Sequence, residues 1–392
     1  MKSVYILGRQ PDIGIAEIES LSGAENIRSI SGYAIVSNLE PETLPFNRLG
    51  GSQKVCKVLA TIPYSNWNQI VAYLFDAAPE FLDYLPDGKL TIGMSCYGFN
   101  VTAGKINASM LSLKKIVKAS GKSVRIVPNK SQQLNSAQII HNKLTDPQGW
   151  DLNLIKDGNQ TVLAQTITVQ DIEAYAARDQ ARPKRDARVG MLPPKLAQTI
   201  INLASTGNNR FNATVLDPFC GTGVILQEAL LMGFKTLGSD IDPRIIDFTN
   251  TNLEWLQTNS PDKQFEWQTY VRDAIQDKWP EHFDFVAAET FLGRPLSSVP
   301  DEKTLNKIID DCDFIHRRFL TNLSYQIPSG TRICLAVPAW ILPNRILHLK
   351  TLDSLEKLGY NRQSFVRADN RKLIYYREGQ RVGRELVVLI RK

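Results

Sequence analysis

The stretch that most restricts what this chain can fold into is TVLDPFCGTG, residues 214–223. Val215 and Leu216 suit the end of a buried parallel strand, residues 217–223 a tight glycine-bearing turn, and residues 224–232 the helix that follows. That succession opens a doubly wound α/β sheet and aims backbone N–H groups at an anionic ligand group. Only Gly221 and Gly223 stand close together, with Thr222 between them and no third glycine before the helix is under way. The pattern is therefore not G-x-G-x-x-G, and a diphosphate cradle is the weaker reading.

Asp217 refines the ligand. A carboxylate repels a diphosphate but holds an ammonium, so the ligand group carries both signs. An amino-acid end meets both demands, and S-adenosylmethionine has one. Gly233 suits the stop of the helix. A second strand over 234–238 then runs to Asp240, and an acidic residue about 20 positions past a glycine turn is where a ribose hydroxyl pair binds in such sheets. Asp242, ahead of Pro243, suits a helix cap. The competing reading makes Asp217 and Asp240 mere turn and cap residues. The ordered succession of strand, turn, helix, glycine stop, strand and acid favours the ligand.

At 392 residues the chain has room for roughly two or three domains. Hydrophobic residues at 43% and charged residues at 22% describe an ordinary globular composition. No segment is apolar enough to span a bilayer and the start, MKSVYILGRQPDIG, lacks a secretory signal's apolar run. A cytoplasmic protein is expected, and a monomer. The five cysteines include no C-x-x-C pair and predict reduced thiols rather than a disulfide framework or a zinc site. The four histidines are scattered without ligand spacing, so no metal is expected. A net charge of +6 by itself only permits an acidic partner.

Residues 1–165 predict small α+β modules. Strands are expected over 3–7, 27–37, 53–62, 89–96, 124–127, 150–156 and 161–169, and helices over 12–21, 66–77, 102–120 and 135–144. The last two strands turn at Asp157-Gly158. Between Lys89 and Lys143 lie nine cations and no acid. A solvated face normally interleaves both signs, so Lys105, Lys114, Lys115, Lys118, Lys122 and Arg125 are candidate phosphate contacts to RNA. Residues 170–190 are charged, contain Pro183 and lack an apolar period, as a linker does. Its cations are Arg178, Arg182, Lys184, Arg185 and Arg188. Further on, 332–338 suits a buried strand, 347–358 a helix ended by Gly359, and 372–377 with 385–391 an antiparallel pair in a cation-rich region.

RDQARPKRDARVGMLPPKLAQTIINLA followed by VLDPFCGTGVILQEALLMGFKTLGSDID resembles the THUMP-domain, S-adenosylmethionine-dependent tRNA guanosine N2-methyltransferases of archaea and eukaryotes and their bacterial relatives. The resemblance covers essentially the whole chain, although the N-terminal half matches only in length, order and basic character. It implies a ferredoxin-like module over 1–50, a THUMP domain gripping tRNA over 51–169, a linker over 170–190, and a Rossmann-like methyltransferase domain with a mostly parallel seven-stranded sheet over 191–392. In that domain Asp217, Gly221 and Gly223 line the methionine part, Asp240 the ribose, and Asp273 with Ala274 the adenine. Pro218, Phe219 and Ile241 belong to the same cofactor-binding set. Asp273 also fits independently, following an expected strand over 268–271, although an ordinary helix cap explains it nearly as well.

The catalytic position departs from the family. A strand over 283–288 ought to run into Asp-Pro-Pro-Tyr, but the chain has Ala288, Glu289, Thr290, Phe291, Leu292, Gly293. In one register Glu289 replaces the aspartate and Leu292 the aromatic. In the other Phe291 keeps the aromatic role and the carboxylate falls on Ala288. The guanine amine is a poor nucleophile because its lone pair is delocalised. An acceptor carboxylate that holds its hydrogens turns the lone pair toward the sulfonium methyl. An aromatic stacks on the base once flipped out. Glu289, Thr290 and Phe291 are accordingly the candidate catalytic residues. A cytosine C5-methyltransferase needs a cysteine near this strand, and none lies between Cys220 and Cys312. The alternatives are a non-catalytic tRNA-binding protein on the same fold, and amine methylation of DNA or another RNA.

Overall fold

The computed structural model describes residues 1–30, 32–82, 88–186, 191–205, 213–296, 298 and 300–392. They group into two compact units, one of residues 1–15, 22–47 and 51–173, the other of 16–21, 48–50 and 174–392. Among the described residues no helix is long and apolar enough to cross a membrane, and no group of His, Cys, Asp and Glu is placed to hold a metal ion.

The first unit is built on β1 (Ser3–Leu7), α1 (Pro11–Ser22), β2 (Ile27–Ile30), β3 (Ala34–Ser37), β4 (Ser52–Ile62), α2 (Trp67–Leu82), β5 (Leu90–Tyr97), α3 (Ala103–Ala119), β6 (Val124–Ile126), α4 (Ser136–His141), β7 (Gly149–Asp157) and β8 (Gln160–Val169). The middle of α1 groups with the second unit. The strands form one mixed sheet in the order β2-β3-β1-β4-β8-β7-β5-β6. Because β1 pairs with β4, the boundary expected at residue 50 falls inside a continuous sheet. Helix α2 runs past the expected end at 77 and through Pro79. Its Trp67, Ile70, Leu74, Ala78 and Leu82 sit at helical spacing and are buried, so packing carries the helix past the proline. The hairpin loop is Gly158-Asn159 rather than Asp157-Gly158, since Asp157 pairs with Gln160; Gly158 takes the positive φ of 61° that this tight turn needs.

Inside this sheet lies a polar knot. The Lys54 ammonium on β4, 2% exposed, donates to Asp151 Oδ2 on β7 at 3.0 Å and to Ser95 Oγ on β5 at 3.3 Å. On β8 the Thr166 hydroxyl donates to the same Asp151 oxygen. One buried cation and one buried anion thus meet across strands that are not neighbours in the sheet.

The second unit comprises α5 (Ile172–Gln180), α6 (Pro194–Ser205), β9 (Thr214–Asp217), α7 (Val224–Leu231), β10 (Lys235–Asp240), α8 (Pro243–Thr258), β11 (Trp267–Val271), β12 (Phe285–Glu289), α9 (Glu302–Ser324), β13 (Arg332–Ile341), β14 (Ile346–Leu347), β15 (Tyr360–Arg362), β16 (Ile374–Tyr375) and β17 (Val382–Arg391). Its sheet runs β11-β10-β9-β12-β13-β17-β15, with β14 on β13 and β16 on β17. The first five strands are mutually parallel, and β17 is antiparallel to both its neighbours. A core of Leu216, Val286, Ala288, Phe319, Leu335 and Trp340, among others, lies under α9.

Two segments differ from expectation. The stretch 170–190 is not all linker, because α5 forms there. Its Tyr175 hydroxyl donates to Gln198 at 2.6 Å and its Arg178 binds the buried Glu228 carboxylate at 2.8 Å, contacts that no apolar period announces. Arg188 lies outside the described residues. The expected helix over 347–358 is instead β14 followed by a 3-10 segment, Lys350–Leu358, broken at Ser354 and closed by Gly359 at φ 87°.

Candidate active site

The parallel register of β9, β10 and β12 brings three carboxylates to the carboxyl edge of the sheet. Asp217 is level with Gly238, so Asp240 lies two residues further along β10. Leu216 is level with Val286, so Glu289 lies equally far along β12. The crevice outside the carboxyl ends of parallel strands is where α/β sheets bind ligands.

The glycine turn is locked between these strands. The Gly221 N–H donates to Asp240 Oδ2 at 3.2 Å, and the Thr249 hydroxyl of α8 donates to the Gly221 carbonyl. Gly223 caps α7 with a φ of 86°, a left-handed conformation that strains any side chain. A Cβ on Gly238 would come within 2.5 Å of the Leu226 side chain of α7 and 3.3 Å of Cys220 in the turn, so helix and turn both lie close against the strand there. Cys220 is buried in this contact, and burial pushes its thiol well above the ordinary range, as befits a packing residue.

Asp217 is 2% exposed and accepts from the Phe219 N–H at 3.1 Å. Burial holds its carboxyl well above the usual carboxylate range, and the negative charges of Asp240 and Glu289 push the same way. No cationic side chain pairs with it among the described residues. Asp240, half-buried, accepts at Oδ1 from the Asp242 N–H at 3.0 Å and is raised chiefly by burial. Ile241, the next residue, is 66% exposed at the same edge.

The other expected cofactor residues divide. The Phe219 ring meets Phe319 of α9 edge-on at 4.9 Å, and the Pro218 carbonyl accepts from Ser239 at 3.5 Å, so both brace the turn from inside. Asp273 caps a turn, accepting from the Ile275 N–H at 3.1 Å and from the Gln276 side chain at 3.0 Å. Ala274 is buried, its carbonyl tied to Asn322 at 3.0 Å.

At the stretch expected to be catalytic Ala288 is fully buried in the core and Glu289 is the last residue of β12. In the register that starts from Glu289 a carboxyl thus stands at the strand's end, and in the other a buried methyl takes that place. Glu289 Oε1 accepts from Arg384 Nε of β17, a pair in which both side chains are largely buried. Burial raises the Glu289 carboxyl and Arg384 opposes the rise. Thr290, expected among the catalytic groups, is instead buried against α9. The His316 Nδ1–H donates to the Cys312 carbonyl at 2.7 Å, which leaves Nε2 to accept from the Thr290 hydroxyl at 2.6 Å. Burial lowers the His316 pKa to about 4, so the ring is neutral near neutral pH. The Thr290 N–H also donates to the Ala336 carbonyl at 3.1 Å. These bonds hold Thr290 where the chain lacks the prolines of the motif. Phe291 follows, 41% exposed. Thr290→Val leaves a buried imidazole nitrogen unpaired and is expected to cost about 1–3 kcal/mol of stability, measurable by urea unfolding.

Sequence reasoning missed Arg384 and His316. Arg384 is one cation in a run of them, and His316 is one residue of an amphipathic helix. Neither bears a local mark.

In the first unit the candidate RNA contacts do not share one face. Lys115 and Lys118 project together from α3 beside Leu111, which is 55% exposed. Lys105 is exposed and Lys114 half-buried on opposite flanks of the helix. Lys122 is half-buried, and Arg125 is exposed and donates to the Asn142 side chain.

A family model described as a DNA methylase (N6_N4_Mtase) matches residues 115–251. A tRNA (guanine(10)-N2)-dimethyltransferase of Methanothermobacter thermautotrophicus is 28% identical over 182 residues, 46% of this chain and 48% of that protein. The enzyme of the same description from Methanocaldococcus jannaschii is 38% identical over 139 residues, 34% of this chain and 38% of that protein. The chain thus spans about half or less of the curated relatives it matches. The crystal structure of TrmN from Thermus thermophilus superposes with a TM-score of 0.54 at 16% identity, covering 100% of this chain and 99% of that one. A possible methylase from Clostridium difficile 630 gives 0.52 at 12% identity, covering 98% and 97%. Along its whole length the chain therefore has the fold of these two structures, and part of it is related in sequence to tRNA guanine-N2 dimethyltransferases.

Proposed function

We propose that this chain is an S-adenosylmethionine-dependent methyltransferase acting on the exocyclic N2 of a guanosine in tRNA. The second unit is the transfer domain and the first a THUMP-type RNA grip. The observation that carries this is the meeting of Asp217, Asp240 and Glu289 at one sheet edge beside the glycine turn.

The residues fit the cofactor. A buried carboxylate flanked by two others and lacking a cationic partner is stabilised by a ligand ammonium. S-adenosylmethionine, when bound, supplies a sulfonium methyl. Asp217 then holds the ammonium, Asp240 has acceptor capacity left for ribose hydroxyls, and Ile241 offers an apolar surface to the nucleoside. Glu289 accepts a hydrogen of the guanine amine and so turns the nitrogen lone pair outward. Phe291 stacks on the flipped base.

Incubation of the full chain with labelled S-adenosylmethionine and an unmodified tRNA transcript tests the reading, with digestion and mass spectrometry to locate the methyl. Label on N2-methylguanosine is expected. No transfer, with cofactor binding established by calorimetry, rules out the enzyme and leaves a tRNA-binding protein; label on duplex DNA alone rules out the substrate. Lys115→Glu with Lys118→Glu is expected to weaken tRNA binding and to lower the slope of log affinity against log salt by about one per lysine. Filter binding across a salt series checks this, and an unchanged slope removes these two lysines from the RNA track.

A further inference from the structure

We propose that Arg384 is a positioning residue for methyl transfer, which sets the orientation of the Glu289 carboxylate at the mouth of the site. The inference rests on the function proposed above and deepens it. Glutamate is one methylene longer than the aspartate of the motif it replaces, and its extra rotatable bond leaves the carboxylate free to swing. Arg384 removes that freedom. It stands on β17 opposite Pro338 of β13, while Glu289 stands on β12 opposite Ala336. The guanidinium thus reaches across the middle of β13 to Glu289. Its Nε takes Oε1, and Oε2 has no hydrogen-bond partner among the described residues. A side chain with one oxygen pinned presents the other in a fixed direction, as an amine donor requires.

Burial makes the pairing count. The ionisable groups about Glu289 are Asp217 from β9, with Asp240 of β10 beyond it, and Arg384 from β17. His316 of α9 is neutral and engaged with Thr290. Among the described residues Arg384 is the one cation that opposes the rise burial imposes on the Glu289 carboxyl, and a protonated carboxyl would turn a donor rather than an acceptor on one of its oxygens.

The experiment compares wild type with Arg384→Lys and Arg384→Gln. Arg384→Gln is expected to lower kcat by roughly 10–100-fold, with the KM for tRNA changed by less than about threefold, and to move the acid limb of the kcat profile upward by at least about one pH unit. Arg384→Lys restores the position of the limb but only part of kcat, since an ammonium supplies the charge without the fixed planar donor. A purely structural residue moves neither the pH profile nor kcat apart from the folded fraction. An unchanged profile in a folded Arg384→Gln protein overturns the proposal. If the wild type proves inactive on tRNA the functional reading fails separately. The pair is then read directly, by the carboxyl-carbon NMR titration of Glu289 in proteins labelled at glutamate, assigned with Glu289→Gln. A higher midpoint in Arg384→Gln supports the electrostatic coupling, and equal midpoints overturn it.

Discussion

Glu289→Ala is expected to lower kcat for methyl transfer to tRNA by about 10²–10³-fold while S-adenosylmethionine affinity stays within a factor of about three. The loss is that of the group holding the nucleophile in line, so it falls on kcat rather than on binding. Alanine also takes the carboxylate from the largely buried Arg384 guanidinium, which is expected to destabilise the fold. For that reason Glu289→Gln is the companion variant. Its amide oxygen still accepts from Arg384, so the fold is kept while the negative charge is gone. Steady-state kinetics, with folded fraction taken from circular dichroism, separate the two effects. A fully folded Glu289→Gln protein with wild-type kcat eliminates the charge as the acceptor.

Asp217→Asn carries two expected results of opposite sign. S-adenosylmethionine affinity falls by about 10–100-fold, because a charge-assisted bond to the ammonium is replaced by a neutral one. The ligand-free protein becomes more stable at neutral pH. Burial raises the Asp217 carboxyl well above the ordinary range, so the folded state binds a proton that the unfolded chain has released. The stability contributed by this group is full below the unfolded carboxylate range and is lost as pH rises through the raised folded value. Asparagine removes that loss. In the wild type, cofactor uptake drives the proton off Asp217, so affinity weakens as pH falls through the raised value. Calorimetry in buffers of different ionisation heat counts the released proton, and thermal melts of the ligand-free proteins compare stability. An unchanged affinity in Asp217→Asn removes this carboxylate from the ammonium site.

The meeting of Asp217 and Asp240 at one sheet edge was legible because its geometry is written locally. Two glycines, an acid before them and an acid after the next strand lie within about one strand–helix–strand unit, where chain connection fixes neighbourhood. Ala288 and Glu289 were ambiguous because pattern alone cannot say where a strand stops; the pairing of β12 with β13 carries the strand through Glu289. Arg384 was invisible because 95 residues separate it from Glu289 and only the insertion of β17 beside β13 brings them together. The helix over 172–180 escaped because polar contacts rather than an apolar stripe hold it. The lysines of α3 illustrate the reverse: a charge count registers that they coexist, but helical phase separates Lys105 from Lys114.

The polar knot of Lys54 and Asp151 ties assembly order to sequence distance. The partners are 97 residues apart, and β8 must lie between their strands before the two charges meet. A partial structure that pairs β7 with β8 without β4 leaves the Asp151 carboxylate without its cation, which disfavours drying the middle of the sheet before β4 arrives. The interior of the sheet is therefore expected to dry only once β4 has paired with β8, a long-range pairing that slows folding relative to a local hairpin.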